Sequence, residues 1–394
     1  MIALFKPSWA GKREVMEKKS RLTTSFIGVA AVWIGGHFGP GFATGTSMTT
    51  WFVRYGVIGL VLPLISIAIT AGVMYFMIEF ARRNQANSYK AFALSAYGEK
   101  GGRVMTLMYD VVFLVTVMCA GGLCVSGLAS LLEAHLGLPY WGGAALTIAI
   151  AAVLCLYGSA LLSKASAYMM YFIIGVTVLI VVMSFAFGDY DLAGAFANSA
   201  TNAKAAGFGR AIWKSILYGF FQSSLCFNVI SVSDVLENKE ASKKAAGAGY
   251  LINVVLMILV ILMLFSYTNI FAVCEEALPI YTILTRLGFS WLTWAYVILM
   301  TLAVLSSAAG LAYAGTVRFD PILKSIGNKQ VRSAMITVFL LGLATFAASF
   351  GLKSLMSTGN SIIGYLCIVV IVIPAYTLIR SKIKKQYKIR EGRR

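Results

Sequence analysis

The residues of this chain that could do chemistry are few and neutral. Ala303, Ser306 and Ser307 stand at i, i+3 and i+4 inside "TLAVLSSAAGLAYAG", a spacing that puts all three on one face of a helix. Hydroxyls so placed either offer oxygens to a ligand or bond back to carbonyls four residues earlier. A second group lies in "GGHFGPGFATGTS" (35–47), where five glycines, a proline and one of the chain's two histidines interrupt an apolar run. A third is Gln222, Ser223 and Ser224 with Asn228, which interrupt the run at 209–235. None of these is a catalytic constellation. The chain has no HExxH, no GxSxG, no paired membrane aspartates and no nucleotide-binding loop. Bare backbone, hydroxyls and amides can instead bind a small solute or a hard cation.

The elements that position these groups must cross a membrane. Of 394 residues, 59% are hydrophobic and 12% charged, and the mean hydropathy is +0.82. A soluble protein of this length could not hide so much apolar surface. Ten runs can span about 30 Å of hydrocarbon: 24–53, 57–81, 104–132, 141–162, 166–188, 209–235, 245–272, 290–317, 332–351 and 358–380. The net charge of +18 is a matter of topology and not of nucleic acid. With the N-terminus inside, 27 of the 33 Lys and Arg residues fall on the cytoplasmic side and 6 outside, as the positive-inside rule requires. Both termini are therefore expected in the cytoplasm, and the protein in the cell membrane. The first 24 residues are polar and basic with no small-residue cleavage site, which suits an uncleaved first helix. The basic tail reads as a solvated topology anchor. Six scattered cysteines lack metal or redox spacing and read as packing residues.

The two interrupted spans occupy equivalent places. Span 6 begins about 185 residues after span 1, and spans 3 and 8 echo one another as "AGGL" (120–123) and "AAGL" (308–311). Five spans per half invert the second half in the membrane. Paired interruptions in inverted halves point to a transporter site near the midplane. There, glycines let a ligand approach bare backbone, and Pro40 prevents a continuous helix. The expected divisions are an N-terminal segment (1–23), a first five-helix repeat (24–188), an outer loop (189–208), a second repeat (209–380) and a basic tail (381–394).

Ten helices in a 5+5 inverted repeat, with helices 1 and 6 broken at mid-membrane, resemble the LeuT fold of the amino acid–polyamine–organocation superfamily. The "GPGFATG" segment resembles the "GAGFASGQE" signature of YkvI-type permeases, and "LPIYTILTRLG" (278–288) resembles the short outer helix of that group. Thr46-Ser47 stand where the group often has Gln-Glu, so substrate choice is not carried over. The resemblance implies an all-α integral membrane protein. It further implies a sodium site made of the carbonyls of Gly35, Phe38 and Ala303 and the hydroxyls of Ser306 and Ser307. A second sodium site is not expected, because Phe42 stands where the fold needs an amide.

The expected function is sodium-coupled symport of a small organic solute such as an amino acid, with no catalysis and no cofactor beyond the coupling ion. The expected partners are the solute, sodium and lipid. A proton-coupled permease and a non-transporting receptor on the same scaffold are the alternatives. The expected solute contacts are backbone at Phe38, Gly39 and Gly41 and side chains among His37, Cys119, Gln222, Ser223, Ser224 and Asn228. His37 has three readings: a solute ligand, a proton-coupling group, or a side chain satisfying a local carbonyl. Glu79 is expected to pair with Arg82 and Arg83, and Asp110 with Arg103. Proton-coupled relatives of the fold place a lysine from helix 5 in the cation site, but Lys164 stands at the cytoplasmic start of span 5 and reads first as a topology charge.

Overall fold

Pro40 and Gly45 cut the first span into three pieces. The computed structural model describes residues 26–156, 158–199, 207–276, 278–348 and 358–391; the expected segment 1–23 lies outside them. Helix α1 is Phe26–His37, α2 Pro40–Ala43 and α3 Thr46–Trp51. Pro40 opens α2, where its missing N–H costs nothing. Gly45 takes φ +85 between α2 and α3, and a side chain there would also stand 2.9 Å from Ile280.

Beyond this come α4 (Leu62–Asn84), α5 (Tyr89–Thr116), a π-turn (Val117–Gly121) and α6 (Gly122–Leu136). Then follow α7 (Tyr140–Leu156), α8 (Gly158–Phe187), α9 (Leu192–Ala197) and α10 (Phe208–Gln222). A 3₁₀ turn (Ser223–Leu225) leads to α11 (Cys226–Ser231), α12 (Lys239–Ser266), α13 (Pro279–Leu287), α14 (Ser290–Phe319) and α15 (Lys329–Ala348). The chain closes with α16 (Asn360–Cys367), two π-turns and α17 (Arg380–Glu391). Among the described residues there is no strand, and seven helices are long and apolar enough to cross a bilayer. This is a multi-pass, all-helical membrane protein.

Packing divides the helices into two groups. Helices α10 and α12 lie against α4. The approach of α10 is close because Gly219 has no side chain: a Cβ would stand 2.5 Å from the Ser66 carbonyl oxygen, and Thr70 Oγ1 donates to Gly219 O at 3.0 Å. The other group is α6, α7, α14 and α15, with α8 against α14. Helix α1 lies between the groups, with Trp33 against Gly249 of α12 on one side and Gly35 against Ser306 of α14 on the other.

Two expectations need correcting. Span 6 is tightened at Ser223–Leu225 and not unwound: Ser223 keeps φ −64, ψ −19 and Leu225 φ −64, ψ −9. No glycine or proline lies between Phe220 and Cys226, and Ser223 Oγ donates to Gly219 O at 2.8 Å, so the backbone stays wound. The tail is not simply solvated either. It continues the last span as α17 and docks on the end of α4. Arg83 Nε donates to Gln386 Oε1 at 3.0 Å, and the Tyr387 ring lies between the Arg83 guanidinium (4.0 Å) and the Lys239 ammonium (4.1 Å).

Candidate functional site

The seam between α1 and α14 brings the two serines to the interrupted span. Ser307 Oγ donates to Gly35 O at 2.6 Å, and more weakly to Gly36 O at 3.3 Å. Ser306 Oγ is buried and has no hydrogen-bond partner among the described residues. Neither serine bonds back along its own helix in the manner of Thr301, which donates to Val297 O at 2.9 Å. The Gly35 carbonyl and the Ser306 and Ser307 hydroxyls thus meet in one buried region. Across the interruption the Phe42 N–H bonds Gly39 O at 3.0 Å, whereas in an unbroken helix it would bond Phe38 O.

This approach depends on Gly35 having no side chain. A Cβ there would stand 2.1 Å from Ser306 Oγ and 3.1 Å from Ser306 Cβ. Gly35→Ala should therefore lower stability by about 1–3 kcal/mol through overpacking. Gly35→Ala/Ser306→Ala should recover most of that loss, because the nearer clash is with the hydroxyl. Thermal unfolding of the purified variants checks this; a fully stable Gly35→Ala would mean that the helices do not meet here.

Beside the seam is a cavity of about 60 Å³, room for several waters or the polar end of a small solute. Of the expected solute contacts, His37, Gly39, Gly41, Gln222 and Ser224 line it, and Ser307 joins them from the seam. Ser224 Oγ and Asn360 Oδ1 are buried in its wall without hydrogen-bond partners among the described residues. Among the described residues, no Asp, Glu, Lys or Arg lines the cavity. The remaining expectations fall elsewhere. Phe38 is fully buried with its ring 4.1 Å from that of Phe42, so only its backbone is on offer. Ser223 Oγ donates to Gly219 O, and Asn228 is not among the lining residues, its amide lying against Gly36 and Gly310.

Cys119 faces Gly359, where a Cβ would meet its sulfur at 2.7 Å. Thr116, expected on the same face, does line the cavity, but the π-turn at Val117–Gly121 inserts a residue and rotates the face that follows, so that Ala120 and Cys124 join it in place of Cys119 and Gly122. A regular helical period does not reveal that shift.

His37 is fixed by two neighbours from the α4 group. Asn253 Nδ2 donates to Gly249 O at 2.7 Å, which orients the amide. Its Oδ1 lies 2.5 Å from His37 Nδ1, which therefore carries the proton, and Nε2 accepts from Tyr218 OH at 2.7 Å. Both nitrogens of the neutral ring are satisfied, so His37 shapes the cavity wall without a free hydrogen bond for a solute. The only advance signal was Asn253, a lone amide in an apolar run that had to find a buried partner.

The acids Glu79 of α4 and Asp110 of α5 are both paired. Glu79 is fully buried and accepts from Arg82 at 2.7 and 3.0 Å and from Tyr387 OH at 2.5 Å. Asp110 does not pair with Arg103, which bonds Glu99 one turn away at 3.1 Å. It takes a two-pronged pair from Arg318 of α14, at 2.6 and 2.8 Å, and a bond from Tyr89 OH at 2.8 Å. A guanidinium from a neighbouring helix meets both carboxylate oxygens at once, a geometry stronger than the single bond that joins Arg103 to Glu99. Lys164 is exposed.

No family model matches the chain. An uncharacterized membrane protein of Bacillus subtilis, YkvI, is 24% identical over 161 residues, which is 41% of this chain and 45% of that protein; the match thus spans under half of the relative. Among solved structures, MhsT in complex with L-phenylalanine superposes with a TM-score of 0.65 at 15% identity, covering 90% of this chain and 96% of that one. A Na⁺-coupled sialic acid symporter in a substrate-bound outward-open state gives 0.64 at 14% identity, covering 88% and 79%. A manganese transporter of Eremococcus coleocola gives 0.60 at 12%, covering 95% and 80%. The chain has the fold of LeuT-type transporters.

Proposed function

We propose that this chain is a secondary active transporter, a sodium-coupled symporter of a small organic solute such as an amino acid or a related compound. The observation that carries this reading is the α1–α14 seam, where Ser307 meets the Gly35 carbonyl at 2.6 Å and the unpartnered Ser306 hydroxyl lies against the same residue. The carbonyls of Gly35, Phe38 and Ala303 and the two hydroxyls would hold the ion. Neutral oxygens suit a hard monovalent cation, and such a cation supplies the charge that organises the seam. A transition-metal cargo has less support, since no group of three His, Cys, Asp or Glu able to hold one occurs among the described residues.

The solute would sit in the cavity between α1–α2 and the Ser223–Leu225 turn. With no charged residue among the described lining, the cavity favours a zwitterionic or uncharged solute, because a fixed net charge would find no partner among those residues. In this reading the ten spans form a 5+5 inverted repeat with both termini cytoplasmic. The helices around α1, α4, α10 and α12 would rock against the rest to alternate access, with no chemistry on the solute. Proton coupling has less support, because both His37 nitrogens are engaged and Lys164 is exposed.

Proteoliposomes test the reading. An inward sodium gradient should drive accumulation of at least one member of a panel of radiolabelled neutral amino acids, and replacing sodium by choline should abolish it. Uptake driven by a pH gradient and indifferent to sodium would overturn the coupling. Binding without counterflow would make the protein a receptor.

A further inference from the structure

Asn228 stands apart from the other polar side chains near the cavity. It is 1% exposed, and neither Oδ1 nor Nδ2 has a hydrogen-bond partner among the described residues. Its Nδ2 lies 3.5 Å from where a Cβ on Gly36 would be and 3.1 Å from one on Gly310. The amide is therefore inserted between bare backbone of α1 and of α14. Those are the helices of the cation seam: Gly36 follows Gly35, and Gly310 lies one turn beyond Ser306 and Ser307.

The neighbours of Asn228 face other ways. Ser224 and Leu225, on the turn just before, line the cavity. Phe227 packs into an aromatic cluster with Tyr89, Tyr109 and Phe113, at ring distances of 5.0, 5.6 and 6.0 Å. Ser231 Oγ donates to Asn228 O at 2.6 Å and ties the residue into α11. The turn and the short helix that follows it thus touch the cavity, the seam and the α5 side of the molecule.

A buried amide with both ends unpaired gains from any carbonyl or N–H that turns towards it. A cation held by both Ser307 Oγ and Gly35 O would compete with the bond that now joins them at 2.6 Å, and the next backbone unit along α1 is the one that faces Asn228. We propose that Asn228 is the coupling residue. Its amide engages the Gly36–Gly310 backbone when the seam holds its cation, and so sets the Ser223–Leu225 turn for the solute. This rests on the sodium-coupled reading above.

The test needs no knowledge of the solute. In the full-length protein carrying Ser224→Cys, the rate of N-ethylmaleimide labelling at position 224 is followed by peptide mass spectrometry in sodium and in choline. The thermal stabilisation produced by sodium alone is measured in parallel. Sodium should change the labelling rate about 5-fold or more, the lower end of ordinary coupling factors. Adding Asn228→Ala should reduce that change to under about 2-fold while sodium still stabilises the protein. A full labelling response in the Asn228→Ala background overturns the proposal. Loss of both response and stabilisation also overturns it, since Asn228 would then be needed for cation binding itself. If sodium stabilises the parent but leaves its labelling unchanged, the coupling role alone fails. If sodium does neither, the symporter reading fails with it.

Discussion

Replacing Asp110 by Ala should be the most destabilising single change at a charged position, costing about 3–5 kcal/mol by leaving a buried charge unpaired. Arg318 is nine-tenths buried at the far end of α14, and its guanidinium spends two bonds on the Asp110 carboxylate. Tyr89 OH donates to the same carboxylate and lies in the aromatic cluster around Phe227. Removing the acid strands a cation where water cannot easily reach it. Removing both charges is different: Asp110→Leu/Arg318→Met should restore most of the loss, because a well-packed apolar pair is often no worse than a buried ion pair. Thermal unfolding in detergent of the two variants and wild type measures this. A loss below about 1 kcal/mol for Asp110→Ala would class the pair with weak surface contacts, against the burial described.

The largest functional effect is expected from Ser306→Ala/Ser307→Ala. Two of the five proposed oxygens disappear, yet neither substitution introduces bulk, so the fold should persist. In wild type, sodium should raise solute affinity by a factor of about 5–150, which is ~1–3 kcal/mol of coupling. In the double variant that factor should fall to near one. Linkage requires the solute's enhancement of sodium affinity to vanish by the same factor. Solute affinity at zero and saturating sodium gives the answer. A double variant that keeps the full enhancement would return the serines to packing roles.

What was legible in the sequence follows from which forces are local. Pro40 and Gly45 act on their own backbone, so the division of the first span could be read directly. The same holds for α13, where Pro279 opens the helix and Gly288, at φ +74, closes it. The serine pair could be placed on one face by helical period alone, and the seam then depended on Gly35 being small. In span 6 the polar side chains at Gln222–Ser224 interrupt the apolar pattern but not the backbone, since Ser223 bonds a carbonyl of its own helix and the helical path continues. The π-turn in the third span moved Cys119 off the cavity, since one extra residue breaks the period on which face assignments rest. Pairings between distant helices were beyond local pattern. Asp110 and Arg318 are 208 residues apart, and His37 and Asn253 are 216 apart. Only the requirement that buried polar groups find partners could have suggested them.

The docked tail has a consequence for how the molecule is made. Glu79 is the fully buried acid of α4, and its outer hydrogen bond comes from Tyr387, 308 residues later in the chain. A ribosome completes α4 long before it reaches that tyrosine. Through most of synthesis the Glu79 carboxylate therefore lacks its Tyr387 bond, and the end of the second helix is finished by one of the later turns to emerge. Insertion of this protein is sequential, but the closure of its first half waits on its second.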